Sequence, residues 1–148
     1  MTPVTLRKAV AADADICARI LADWIIETPW MPRLHTLAED SAYIGVKIQN
    51  GWVTMAATPE AVGFLTLEGD YISSLYVAPG ARRSGVGKAL LNHAKERANS
   101  LSLWTFQANM QARRFYMREG FTETQRTEDE NEEKMPDVEY VWSSEGAS

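Results

Sequence analysis

The stretch "YVAPGARRSGVGKALL", Tyr76 to Leu91, constrains this chain more than any other part of it. A strand-like run enters a turn with glycines at 85 and 87 and leaves as an amphipathic helix. Glycines at such a junction let backbone N–H groups approach an anion at the helix N-terminus. Spacing excludes two familiar loops. G-x-x-x-x-G-K-[ST] needs lysine directly after its second glycine; Gly80 and Gly85 are correctly spaced, but Val86 follows Gly85 and Ala89 follows Lys88. G-x-G-x-x-G begun at Gly85 needs glycine at position 90, which is Leu90, and it comes too late in the chain. What remains is Arg82-x-x-Gly85-x-Gly87, either a diphosphate cradle or a plain tight strand-to-helix turn.

The flanking segments give this turn a setting. "TLRKAV" reads as a first strand, and Asp13 as the N-cap of a helix in which Ile16, Ile20 and Trp24 recur at i, i+4, i+8. That helix ends near Thr28-Pro29, before the proline-flanked loop "PWMPRLH". "TLAE", Thr36 to Glu39, matches a capping box; the helix after it carries Leu37, Ile44 and Ile48 on one face and stops at Asn50-Gly51. From Trp52 the period changes. "WVTMAA", "AVGFLTL" and "YISSLYV", separated by the turn signals "TPE" and "EGD", form an antiparallel meander. A helix from Gly87 to Asn99, the strand "LSLWTFQ", the short helix "MQARRFYMREG" and the strands "FTETQRT" and "VEYVW" complete the order β-α-α-β-β-β-α-β-α-β-β. The predicted class is α/β: a mixed central sheet flanked by helices, with one right-handed parallel crossover from "YISSLYV" to "LSLWTFQ". No repeat or linker divides the chain, so residues 1–148 are expected to form one domain.

At 148 residues, 45% hydrophobic and 24% charged, the composition is that of an ordinary globular protein able to bury a core. The net charge of −5 argues against nucleic acid as a partner. Yet Arg82, Arg83, Lys88, Arg113, Arg114 and Arg118 fall in two short segments, a local patch suited to a small polyanion. The lone Cys17 lies in a helical pattern with Ile16 and Ile20, which fits an inert buried thiol in a reducing, cytoplasmic compartment. No apolar run approaches the ~20 residues of a membrane span, and the N-terminus lacks a secretory apolar core. Neither a membrane partner nor a metal site is expected.

Two segments together, "LYVAPGARRSGVGKALL" and "NMQARRFYMREGF", resemble the GNAT superfamily of acyl-coenzyme A dependent N-acyltransferases. The likeness covers roughly residues 52–121, and the second segment follows the family pattern N-x-x-A-x-x-F-Y-x-x-x-G-F. It implies that the strand before the glycine loop splays from its parallel neighbour. Backbone groups of Leu75, Tyr76 and Val77 would then hold the pantetheine arm of acetyl-coenzyme A and polarise the thioester carbonyl. The loop and helix start, Arg82, Arg83, Ser84, Gly85, Val86, Gly87, Lys88 and Ala89, would hold the pyrophosphate. Asn109 would touch the cofactor arm while serving as a helix N-cap. Tyr116 would be the general acid that protonates the departing thiolate; its alternative role is a packed core tyrosine.

The amine must lose a proton before attack, since a primary ammonium has a pKa of about 10.4. Many family members carry a glutamate where this chain has Tyr71, so no direct carboxylate base is evident. Glu68 and Asp70 adjoin the position; water held by Ser73 or Tyr71, or His35 in the proline-flanked loop, are the other candidates. The acceptor is expected between the first two helices and the final hairpin, near Trp24, Trp30, Met31, Arg33 and His35. Opposite them lies "EDENEEKMPD", with five carboxylates in the six positions 128–133. These would steer a cationic amine, or simply form a solvated hairpin tip, whereas Arg33 would suit an acceptor bearing a carboxylate. The expected activity is acetyl transfer from acetyl-coenzyme A to an amine of a small molecule or peptide, by direct attack in a ternary complex. Its rivals are an acetyltransferase of protein N-termini or lysines, and an acyl-coenzyme A binding regulatory module. The final strand "VEYVW" is a candidate contact for a homodimer, and strand packing accounts for it equally.

Overall fold

A computed structural model describes residues 3–145; residues 1–2 and 146–148 of the expected domain lie outside the described residues. The elements are β1 (Thr5–Lys8), α1 (Asp13–Ile26), α2 (Leu37–Gln49), β2 (Val53–Ala57), β3 (Ala61–Glu68) and β4 (Tyr71–Val77). A 3-10 turn (Pro79–Ala81) leads to α3 (Val86–Lys95), β5 (Ser100–Phe106), α4 (Met110–Arg118), β6 (Thr122–Thr127) and β7 (Asp137–Ser143). The predicted order is therefore the observed one. A seven-stranded mixed sheet runs β1-β2-β3-β4-β5-β7-β6, with β4 and β5 its parallel pair.

Strand alternation divides the interior into two layers. Cys17, Ile20, Ile44 and Ile48 of α1 and α2 cover Val53, Met55 and Phe64 on one face. Leu90, Leu91 and Ala94 of α3 and Tyr116 of α4 cover Leu65, Ile72, Leu101, Leu103, Val138, Tyr140 and Trp142 on the other. Gly63 permits the closest approach: a Cβ there would stand 3.0 Å from Val86 Cγ1 and 3.1 Å from the Tyr76 carbonyl oxygen. No helix among the described residues is long and apolar enough to cross a membrane.

Four local expectations are corrected. Asp13 is the first residue of α1, and Ala12 is the N-cap; the Asp13 carboxylate instead receives Arg7 through both terminal nitrogens (2.7 and 2.9 Å) and the Val10 N–H at 2.8 Å. Ile16 and Leu37 face outward, because the buried stripe of α1 follows Ala14, Cys17 and Ala18 while α2 packs through Ile44 and Ile48. Helix α3 stops at Lys95 rather than Asn99, since β5 must begin at Ser100. "VEYVW" lies in β7, hydrogen-bonded on both sides by β5 and β6, so it offers no free strand edge to a second copy. The capping box at Thr36 and Glu39 is present, with both reciprocal hydrogen bonds made.

One irregularity opens the sheet. In the β3–β4 ladder Thr66 pairs with Ser74 and Leu67 with Ile72, which leaves Ser73 as an extra residue on β4. Such a bulge resets the alternation and bends the strand. Ile72 and Leu75 consequently share a face although three residues apart. Beyond the bulge β4 leaves β5: the two strands register only at Tyr71 and Ser102, where the Ser102 N–H donates to the Asp70 carbonyl at 3.0 Å.

Candidate active site

The parting of β4 from β5 exposes backbone groups in a defined order. The Ala78 N–H donates to the Val62 carbonyl at 2.7 Å, so the polar groups of Ala78, and by alternation those of Tyr76, turn towards β3. Those of Leu75 and Val77 therefore face the opening. Tyr76 corrects the expectation for its peptide group: it contributes its ring, which packs against Trp24 and Phe64. Burial pushes its hydroxyl pKa up to about 12, with the charges of Glu133 and Asp40 adding to the shift.

Below this edge lies the glycine loop. Gly85 is the N-cap of α3 with φ +87°, and Arg83 is also left-handed at φ +65°. No acceptor among the described residues takes the N–H groups of Val86, Gly87 and Lys88, as the first turn of a helix requires. Arg83, Ser84 and Lys88 are exposed beside them. The Ser84 hydroxyl donates to the Ala81 carbonyl, and the Ala89 N–H donates to the Gly85 carbonyl at 2.9 Å. A Cβ on Gly87 would meet Phe115 at an ordinary 3.5 Å, so this glycine leaves access for a ligand rather than relieving a clash. Arg82 is not free: it donates to the Val77 carbonyl and pairs with Glu27.

A narrow cavity of about 90 Å³ fills the gap between the strands, with Ser73, Leu75, Tyr76, Asn109 and Tyr116 in its lining. Asn109 caps α4 as expected, its side chain accepting the Ala112 N–H at 3.1 Å. Tyr116 packs its ring among Phe115, Phe121 and Tyr140, but no protein group bonds its hydroxyl among the described residues. The neighbouring core tyrosine, Tyr140, does have a partner, Arg113 Nε at 3.1 Å. Burial, followed by the charge of Tyr76, holds the Tyr116 hydroxyl far above the ordinary phenol range. Such a group stays protonated at neutral pH and is present there as a hydrogen-bond and proton donor.

On the α1–α2 side a wider cleft of about 310 Å³ meets the gap, sharing Ser73, Tyr76, Trp104, Thr105 and Phe106 with it. Asp40, Glu133 and Asp137 line this cleft, as do Tyr71 and His35. Asp137 is satisfied by Thr127 and Asn131, whereas no hydrogen bond reaches the carboxylate of Asp40 or Glu133 among the described residues. Burial raises the Asp40 pKa, against the smaller opposing influence of His35 and Arg33. Arg33 itself is exposed and lies outside the lining; Trp30 serves as a brace, edge-on to Trp24 at 5.9 Å and to Phe106 at 5.7 Å.

Of the carboxylate and imidazole candidates for the base, Glu68 and His35 are each engaged with an oppositely charged partner. His35 Nε2 stands 2.7 Å from Glu132, which raises its pKa and favours the charged ring. Burial and then Glu68 raise the Tyr71 hydroxyl. Glu68 forms an ion pair with Lys47 at 2.8 Å, and Lys47 with Ser73 outweighs burial to keep it ionised. The Ser73 hydroxyl is near enough to assist Glu68 but is buried without a hydrogen bond of normal geometry. Sequence reasoning missed Asp40, Trp104 and Phe106, whose only local signal is position: one turn into α2 and the C-terminal half of β5.

Residues 17–121 match the model of the acetyltransferase (GNAT) family. The chain belongs to that family. Members use acetyl-coenzyme A, and the unpaired N–H groups at the open β4 edge and the α3 N-terminus fit its carbonyls and pyrophosphate. Among relatives, the peptidyl-lysine N-acetyltransferase YjaB of Salmonella typhimurium is 38% identical over 77 residues, 52% of this chain and 53% of that protein. The peptidyl-lysine N-acetyltransferase YiaC of Escherichia coli is 39% identical over 61 residues, 40% of this chain and 42% of the relative. This chain thus spans about half the length or less of the curated relatives it matches. The fold is shared with apo YjaB from Escherichia coli (TM-score 0.75, 22% identity, 95% of this chain and 97% of the other). It is shared too with yncA from Salmonella typhimurium, solved with its cofactor acetyl-CoA (TM-score 0.75, 17% identity, 96% and 94%).

Proposed function

We propose that this protein transfers an acetyl group from acetyl-coenzyme A directly to a primary amine, and that the amine is a lysine side chain of a peptide. The observation that carries this reading is the meeting of two clefts at the bulged, parted end of β4. Acetyl-coenzyme A supplies an activated thioester, whose C–S bond breaks as the C–N bond forms. The Leu75 and Val77 edge presents donors where the carbonyl oxygen gains charge. Tyr116 retains a proton in the same cavity for the departing thiolate, which favours an enzyme over a binding module. Cys17 takes no part: it is fully buried, its Sγ contacts Met55 Sδ at 3.6 Å, and burial lifts its pKa to about 12.

The acceptor side supports a cation. Asp40 and Glu133 reach the wider cleft from α2 and from the β6–β7 turn, and both act on Tyr76 at its floor. The two carboxylates attract an ammonium to the cleft. The amine gives up one proton to solvent before attack and a second as the amide forms, the second replacing the proton that Tyr116 lends to the thiolate. Arg33 stands aside, which removes support for an acceptor selected by its carboxylate. The names of the relatives point to lysine in particular. A cytoplasmic location accords with the buried, unpaired thiol. The deciding assay is thiol release from acetyl-coenzyme A with a blocked lysine peptide, a free N-terminal peptide lacking lysine, polyamines and amino acids. Release with the lysine peptide above the others is expected. Release with amino acids alone, or with none while coenzyme A binds tightly, overturns the proposal.

A further inference from the structure

Arg82 bridges elements instead of extending into solvent. It follows the 3-10 turn, and its Nε donates to the Val77 carbonyl at 3.1 Å while Nη1 pairs with the Glu27 carboxylate. Val77 ends β4, and its carbonyl lies on the opened edge. Glu27 is the C-cap residue of α1, where the helix passes into the loop that carries Trp30 and Met31. The next residue, buried Thr28, closes the helix end: its hydroxyl donates to the Trp24 carbonyl at 2.5 Å and its own carbonyl accepts the Met31 N–H at 3.0 Å. Trp24, Trp30 and Phe106 continue this contact through T-shaped ring pairs as far as β5. One guanidinium thus joins the phosphate loop, the end of β4 and the root of the acceptor wall.

The loop has few other anchors. Two of its residues adopt left-handed backbone, and the Ser84 hydroxyl bonds only to nearby Ala81. Among the described residues, Arg82 makes the loop's sole ion pair to another element. Each partner is about one-third exposed (32% and 36%), so the pair adds little to global stability. Its effect is geometric.

We propose that Glu27 is a positioning residue: by holding Arg82 it keeps the N–H cradle of residues 83–88 shaped for a pyrophosphate and couples that cradle to the acceptor wall. This rests on the cofactor assignment above, and the experiment separates the two. Coenzyme A binding is measured by calorimetry for the wild type, Glu27→Gln, Arg82→Gln and the double variant. Backbone order parameters of the ligand-free proteins are measured by NMR. Glu27→Gln should weaken coenzyme A about fivefold, and the double variant should bind no worse than Arg82→Gln, because effects routed through one pair do not add. Pantetheine, which lacks the pyrophosphate, should bind Glu27→Gln and wild type alike. Order parameters over 83–88 should fall from near ~0.85 towards ~0.6, with β3 unchanged. Unchanged or tighter coenzyme A binding by Glu27→Gln, additive losses, or unchanged loop order overturns the proposal. If the wild type fails to bind coenzyme A, the cofactor assignment falls, and the order parameters still decide whether Glu27 holds the loop.

Discussion

Gly63→Ala perturbs the packing that sets the open edge of β4, and its cost follows from three distances. The added methyl would lie 3.0 Å from Val86 Cγ1, 3.1 Å from the Tyr76 carbonyl oxygen and 3.4 Å from Leu90 Cδ1. Carbon atoms rest at about 3.5–4.0 Å, so each neighbour must yield by a few tenths of an ångström. Val86 and Leu90 are fully buried, and the Tyr76 oxygen is backbone in β4. None can turn aside cheaply. Overpacking of this kind costs about 1–3 kcal/mol, which for a chain of this size lowers Tm by ~2–12 °C. Because the pressure falls on β4 and on the first turn of α3, coenzyme A affinity should drop with stability. Thermal unfolding and calorimetry of Gly63→Ala test this, with Gly80→Ala as control, since nothing lies within 4 Å of a Cβ there. A Gly63→Ala protein that melts within ~1 °C of both wild type and control would refute the packing argument.

Other sites respond differently. Tyr116→Phe should reduce turnover by about 10²-fold or more while coenzyme A affinity holds; an unchanged pH–rate profile would remove Tyr116 from the chemistry. Gly87→Asp places a carboxylate at the second helical position, where it complements the helix dipole. Stability should hold or rise as coenzyme A affinity falls by about tenfold, and calorimetry showing undiminished affinity would sink the phosphate assignment. Asp13→Asn should cost about 1–3 kcal/mol by weakening the Arg7 and Val10 hydrogen bonds, read from denaturant midpoints. The Arg7 hydrogen bonds lower the Asp13 pKa, so its contribution is complete above the unfolded carboxylate pKa of about 3.9 and is lost as pH falls through the lower native value. Unfolding curves from about pH 6 to pH 2 should therefore converge for wild type and Asp13→Asn at the acid end.

Local chemistry made much of this protein legible from its residues. Periodicity, turn residues and the Thr36 capping box are set by neighbours a few positions apart, so element order and the start of α2 could be read directly. The local geometry of the proposed cofactor side was legible for the same reason. Gly85, Gly87 and Asn109 act through their own backbone or the next helical turn, and strand, loop and helix bring them together in chain order. Boundaries were less certain where a residue had two uses. Asp13 reads as a cap, but an arginine six residues earlier claims its carboxylate.

The proposed acceptor side had to wait for the fold. Asp40, Tyr71, Trp104 and Glu133 come from α2, β4, β5 and the β6–β7 turn, and nothing in their separate neighbourhoods announces a shared cleft. The parting of β4 from β5 depends on a register shift at Ser73, which is a relation between strands and has no local signature in "YISSLYV". Arg82 shows the same division. Its place in the glycine motif suggests a phosphate ligand, while its partner Glu27 lies 55 positions away and becomes adjacent only when α1 packs across the end of β4. The sequence by itself determined the elements, the glycine loop and the residue types available for chemistry. Tertiary structure decided which charges face one another, because electrostatic partners are chosen by distance in space.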